Sequence, residues 1–214
     1  LFRSCNIRYL FFYLGIFLIP SAISLAIVFL FVAFLIENFT SSTKFFQDKW
    51  NIPFFISGIL MIISSLLHNA IQGYSLESWS PHLSYIGLLN WIPLFWIFWS
   101  SQNYLISSKD RKIFSFVLIA GTLPVLISGF AQYHFNIFGP FETLYGLIIW
   151  YQRETDPTVL TSLFNNQNYA GSWLCVVLPL SIASFLEFTK LNIKKWISLL
   201  FLLSIGWSIL LTNS

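Results

Sequence analysis

Charge is what this sequence most lacks. Only 9% of its 214 residues are Asp, Glu, Lys or Arg, where a soluble domain carries about 25%. So few charges cannot cover a water-facing surface, which excludes a soluble enzyme, a disordered chain and a nucleic-acid binder. Cysteine is nearly absent as well. Cys5 and Cys175 are the two; they make no metal-ligand spacing, and one disulfide would add little to an apolar bundle. Cys175 lies inside an apolar run, where a small buried hydrophobe is the plain expectation. Histidine is limited to His68, His82 and His134. They form no HExxH-type spacing and no Cys or carboxylate completes a set, so neither a metal nor another cofactor is expected.

What is present is apolar. Such residues make up 57% of the chain, 24 of them Phe, and the mean hydropathy is +0.74. The longest run covers residues 9–36, and later ones cover 52–67, 83–99, 113–133, 173–185 and 196–211. A helix needs about 20 residues, at 1.5 Å each, to cross a hydrocarbon layer of roughly 30 Å. Each later run therefore predicts one spanning helix, the shorter ones completed by flanking polar residues. Strands are not expected, because alternation is absent and an open sheet edge cannot face lipid. The fold class is all-α: a polytopic transmembrane helical bundle, with residues 1–214 as one transmembrane domain. Residue 1 is Leu and an apolar run reaches almost to Ser214, so the chain reads as a piece of a longer protein.

The first run is long for one helix and short for two. Arg3 and Arg8 precede it as in a signal peptide, but the apolar pattern continues to Ile36 without a cleavage-type break. Pro20 and Ser21 sit near its middle, and an interior Pro removes a backbone donor and breaks or kinks a helix. Basic residues arbitrate, since cytoplasmic loops collect Lys and Arg. If the run is a hairpin there are about seven spans, and ten of the eleven basic residues fall on one side with Arg153 alone on the other. With a single first span (six in all) the division is eight to three. The seven-span arrangement is the cleaner. It puts Lys109, Arg111 and Lys112 in the cytoplasm, and outside it puts the tip at Pro20-Ser21, the loop from His68 to His82 with Glu77 and Trp79, and the long loop from about His134 to Ser172.

The later spans hold no Asp, Glu, Lys or Arg well inside them, which weakens a proton- or ion-coupled transporter. Asn90 and Gln132 are the main polar groups at depth, suited to hydrogen bonding between helices. In the long outer loop, Leu144, Leu147, Ile148 and Tyr151 recur at spacings of three and four. That predicts a short amphipathic helix over residues 143–153 on the outer face, with Trp150 and Tyr151 at the interface. Asp156-Pro157-Thr158 is a turn. Then come Asn165, Asn166, Gln167 and Asn168, just before the span that contains Pro179. Amides there either cap the helix start or join it in receiving an anionic or sugar group; both readings stay open. His134 opens the loop and is either a solvated cap or a ligand contact.

Three stretches carry a resemblance to a known family. Thr161-Ser162-Leu163-Phe164-Asn165-Asn166-Gln167-Asn168-Tyr169-Ala170-Gly171, followed by Leu178-Pro179-Leu180, resembles the T-S-x-x-G-N-P-N-x-x-A … L-P-L segment of the O-antigen ligase and polymerase superfamily. Gly129-Phe130-Ala131-Gln132-Tyr133 is similar to that family's Gly-x-x-Gln-aromatic helix ending. Leu210-Leu211-Thr212-Asn213-Ser214 looks like its helix that runs into a Ser-Arg-Gly signature. Asn165 stands where Gly is usual and Gln167 where Pro is usual. An Arg that many members carry before the motif would have to be supplied by Arg153.

The resemblance implies a membrane glycosyltransferase at the outer face of the bacterial inner membrane. Its donor is a glycan on a polyprenyl pyrophosphate, and its acceptor a glycan or lipid hydroxyl that displaces the pyrophosphate without nucleotide sugar or metal. Arg153, Asn166, Asn168 and His134 are the candidate substrate-binding residues, and the catalytic residues are expected beyond Ser214. Two other readings stay open, a solute transporter or flippase-like carrier and a non-catalytic truncated membrane protein.

Overall fold

A computed structural model describes residues 7–40, 45–70, 82–152, 159–187 and 192–214. Eight helices run through them: α1 (Ile7–Leu18), α2 (Ile23–Thr40), α3 (Asn51–Ala70), α4 (His82–Gln102), α5 (Ser108–Gly121), α6 (Leu123–Phe135), α7 (Gln167–Glu187) and α8 (Ile193–Thr212). Six helical runs are long and apolar enough to cross a membrane: α2, α3, α4, the combined Ser108–Phe135 run, α7 and α8. α1 is apolar but has only 12 residues. The protein is thus a helical membrane protein by length and composition of its helices.

The break expected at Pro20-Ser21 is real. α1 stops at Leu18 and α2 starts at Ile23, with Ser21 and Ala22 donating their backbone N–H groups to the Leu18 carbonyl. The run expected over 113–133 is two helices in series. Pro124 falls in the first turn of α6, where it has no donor to lose. Thr122 joins the pair: its N–H reaches the Leu118 and Ile119 carbonyls, and its hydroxyl donates to Leu118 O at 3.0 Å. The same hydroxyl accepts Trp173 Nε1 from α7 at 3.1 Å.

The outer-face helix expected over residues 143–153 is not there. Its place is taken by a β-hairpin, β1 (Phe141–Thr143) paired antiparallel with β2 (Ile148–Trp150), Glu142 opposite Ile149. Leu144, Tyr145 and Gly146 all have positive φ, and Leu147 N–H closes the turn on Leu144 O at 3.2 Å. Positive φ at successive turn residues gives the twist a hairpin needs. Thr143, Ile148, Ile149 and Trp150 are β-branched or aromatic and suit strands. An eleven-residue stretch is also below the length at which helix periodicity stabilises itself in water. The expectation that the chain would form no strands fails at the same place.

The contacts divide the chain into two compact units. Unit 1 takes the chain up to Val32 together with Ser107–Ser214, and unit 2 is Ala33–Ile106. In unit 1, α1 crosses α5 so closely that a Cβ on Gly121 would come within 2.4 Å of the Phe17 carbonyl oxygen. α5 begins with an N-cap: Ser107 Oγ accepts Asp110 N–H at 3.1 Å and donates to Asp110 Oδ2 at 2.6 Å. α7 buries Ala170, Gly171, Leu174, Val177 and Ser181 along one stripe. Cys175 is exposed, contrary to expectation, because it lies one residue outside that stripe. In unit 2, buried Asn51 at the start of α3 trades amide bonds with Gln102 at the end of α4. Tyr104 OH donates to Ala33 O at 2.7 Å.

Candidate functional site

The amide-rich segment lies at the end of unit 1 where α6 and α8 finish and α7 begins. Residues 160–163 are irregular in backbone yet almost wholly buried: Leu160, Thr161, Ser162 and Leu163 are at most 4% exposed. Irregular chain is tolerated at membrane depth only where protein satisfies its polar groups. Here Gln132 does that. Its Oε1 accepts the N–H of Thr161 at 3.0 Å and of Ser162 at 2.9 Å, and its Nε2 donates to Thr161 Oγ1 at 2.9 Å. Leu160 N–H bonds Leu211 O at 2.9 Å, taking up a carbonyl that the last turn of α8 leaves over. Ser162 has φ 57°, a left-handed conformation costing about 1–2 kcal/mol for a residue with a Cβ. Its hydroxyl donates to Val125 O.

Glycines let these pieces meet. A Cβ on Gly129 would sit 2.9 Å from the Leu160 side chain, and one on Gly171 would sit 2.3 Å from Ser214 Oγ. Thr212 Oγ1 donates to Ile209 O at 2.7 Å and lies 3.0 Å from Ser214 Oγ. The hairpin covers the same end of the bundle. Trp150 Nε1 donates to Ser21 O at 2.6 Å, tying the hairpin to the α1–α2 turn. Tyr151 N–H reaches Leu163 O at 3.3 Å, and Gln152 Nε2 donates to Ser128 Oγ. So the Pro20-Ser21 tip and the long loop share one end of unit 1. The basic start of α5, the end of α7 with Glu187, and the start of α8 share the other, where Lys112 pairs with Glu187.

The candidate residues fare differently. Asn166 caps α7: its Oδ1 accepts Asn168 N–H at 2.7 Å, and its carbonyl takes Ala170 N–H. Of the two readings of the amides, capping is therefore realised at Asn166. Asn168 is exposed, and its side chain has no hydrogen-bond partner among the described residues. It stands on the first turn of α7, where the leading N–H groups lack intrahelical acceptors and carry the positive end of the helix dipole. His134 is exposed in the last turn of α6, its ring against Phe130 and Tyr133. Arg153, like Glu77 and Trp79 of the earlier loop, lies outside the described residues, as does the side chain of Asn90.

No family model, curated protein or solved structure matches the chain. The site is accordingly argued from its own chemistry. The sequence suits Gln132 to a bond between helices. It binds instead the backbone of the segment before α7, 29 residues on; its depth in an apolar helix and its place in the Gly-x-x-Gln-aromatic ending are the signals that it would find a partner. Gln152 and Ser128 carry no sequence signal, and Ser162 carries only its place in the Thr-Ser pair of the resembling segment. Among the described residues no three His, Cys, Asp or Glu side chains converge. What the rim offers is neutral donors and acceptors at a helix N-terminus, held on a buried and hydrogen-bonded loop. Such a rim can bind an anion or a polyol; it holds no described acid–base pair.

Proposed function

We propose that the chain is part of a membrane glycosyltransferase of the O-antigen ligase or polymerase kind. It would transfer a glycan from a polyprenyl-pyrophosphate carrier to an acceptor glycan or lipid at the outer face of a bacterial inner membrane. The observation that carries the reading is a convergence. The three stretches that resemble the family are far apart in sequence yet meet at one end of unit 1: Gln132 holds Thr161 and Ser162, Gly129 abuts Leu160, and Gly171 abuts Thr212 and Ser214. Hydrogen bonds between helices are common to membrane bundles; what supports the reading is that all three resembling stretches meet at one place.

In this proposal the basic ends of α5 and α8 face the cytoplasm, and the α1–α2 turn, the hairpin and the amide rim face outward. The apolar walls accept the carrier's lipid. The start of α7 and the Asn168 amide bind the diphosphate or the first sugar, because a departing diphosphate needs donors aimed at its developing charge. Asn166 holds the helix start in shape. Arg153 supplies the cation that a diphosphate calls for, and His134 contacts the acceptor side. A carrier is the second reading, and buried Glu37 in α2, 6% exposed, is the observation that favours it, since ionisable groups inside apolar helices often mark ion paths.

The test is Asn168→Ala in the full-length gene product. One hydrogen bond to a charged group is worth about 1.5–3 kcal/mol, so glycan transfer should fall roughly ten- to hundredfold at unchanged protein level. Asn166→Ala should instead cost about 1 kcal/mol of stability through the lost cap. Unchanged transfer in the Asn168 variant would overturn the role given to that amide, and absence of transfer by the wild-type protein would count against the enzyme and for the carrier.

A further inference from the structure

We infer that the basic end of unit 1 holds a site for an anionic glycerophospholipid between α5, α7 and α8. The inference is independent of the glycosyltransferase reading and rests only on the apolar helices lying in a bilayer. Two adjoining cavities define the site. The first, about 310 Å³, lies between α5, α7 and α8. Its walls are mostly apolar, from Phe116, Ile119, Ala120, Ile197 and Phe201, and Lys194 stands on its rim. The second, about 240 Å³, is the more polar of the two and carries Ser108, Arg111, Lys112 and Ser115 from the first two turns of α5 beside apolar Phe116, Ile119, Leu180 and Ala183. Phe116, Ile119 and Ser184 line both cavities, so they are neighbouring parts of one groove.

The occupant must match that division. An apolar chamber of this size takes part of one acyl chain and gives a water-soluble anion nothing to bind. The polar chamber brings together Arg111, Lys112 and the hydroxyls of Ser108 and Ser115, with Lys194 across the groove. Glu187 is the single carboxylate in either lining, and it already pairs with Lys112 at 2.5 Å. The walls therefore carry three cations against one anion. That balance favours a net-anionic phosphate head over a zwitterionic one, whose own cation would meet the same positive wall. Basic pockets between transmembrane helices at one membrane face are the known physical form of such sites. The start of α5 also keeps its shape without the lipid, through the Ser107 N-cap and its bond to Asp110.

The experiment uses the full chain, purified in mild detergent and reconstituted in bilayer discs of phosphatidylcholine with or without phosphatidylglycerol. Lipid that stays bound on re-extraction is counted by native mass spectrometry. The wild-type protein should retain one phosphatidylglycerol per chain. In the double variant Arg111→Gln/Lys194→Gln, retention should fall roughly thirtyfold, the effect of removing two cations at a membrane surface. Arg111→Lys/Lys194→Arg should restore it, and Lys49→Gln in unit 2 should leave it unchanged. A melting curve taken on each variant separates lost binding from lost folding. Equal retention of the two lipids, retention unaffected by the double variant, or equal protection by inorganic phosphate alone would each overturn the site. So would crosslinks from Phe201 to a protein segment lying in the groove.

Discussion

The two units solve the same problem by different means. In a bilayer, apolar surface gains little by leaving lipid for another helix, so packing and polar bonds must hold helices together. Unit 1 uses both at close range. Gly15, Gly121, Gly129 and Gly171 let neighbours approach until a Cβ would clash, and Gln132, Thr122 and Trp150 bind elements distant in sequence. Unit 2 relies on rings. Phe34 meets Trp96 edge-on at 5.5 Å, Phe54 lies 4.6 Å from Phe98, and Phe45, Phe46, Phe55 and Trp99 cluster beside the start of α3. In the apolar windows of α3 and α4 only 17% and 6% of residues are buried, against 39% over the Ser108–Phe135 run. Unit 1 is thus built to fix an irregular loop in place, and unit 2 to present apolar side chains to lipid or to further helices. A site that needs defined geometry belongs in the first.

The sharpest way to break this contrast is Gln132→Leu. It strands the N–H groups of Thr161 and Ser162 in an apolar setting, at about 1–3 kcal/mol each. The variant should lose roughly 2–6 kcal/mol by thermal unfolding in detergent, and the start of α7 should become open to protease. An unchanged melting point would mean that the loop is held by something other than Gln132. Next is Gly121→Val. The added Cβ would meet the Phe17 backbone, and overpacking of this kind costs about 1–3 kcal/mol; α1 should lose its cover on α5, read as faster exchange or labelling along α1. The smallest effect is expected in unit 2. Asn51→Leu ends the amide exchange with Gln102, and polar pairs in membrane proteins average about 0.6 kcal/mol. A loss from Asn51→Leu as large as that from Gln132→Leu would erase the distinction between the units.

Much of the fold was legible in the residues, for local reasons. The break at Pro20-Ser21 follows from the donor that proline lacks, and the helices follow from runs too long and too apolar to be anything else. The hairpin was not legible. Leu144, Leu147, Ile148 and Tyr151 fit a helical face, and the reversal between them depends on three successive positive φ angles that spacing does not encode. The exposure of Cys175 is not legible either, because an apolar run does not say which residues face the packed stripe. At the rim, the capping use of Asn166 was one of two readings the sequence allowed, and only the bond to Asn168 N–H separates them. Arg153 falls outside the described residues.

The sequence by itself determined a mostly helical chain with runs long and apolar enough to cross a membrane, because so few charges cannot cover so much apolar surface in water. It also marked where those helices break. Tertiary structure alone decided that Gln132 reaches Thr161 and Ser162, that the hairpin seats on Ser21, and that Asn168 is left facing outward. Those are contacts between residues tens to more than a hundred positions apart. Their partners are chosen by which buried polar groups must be satisfied once the helices have packed.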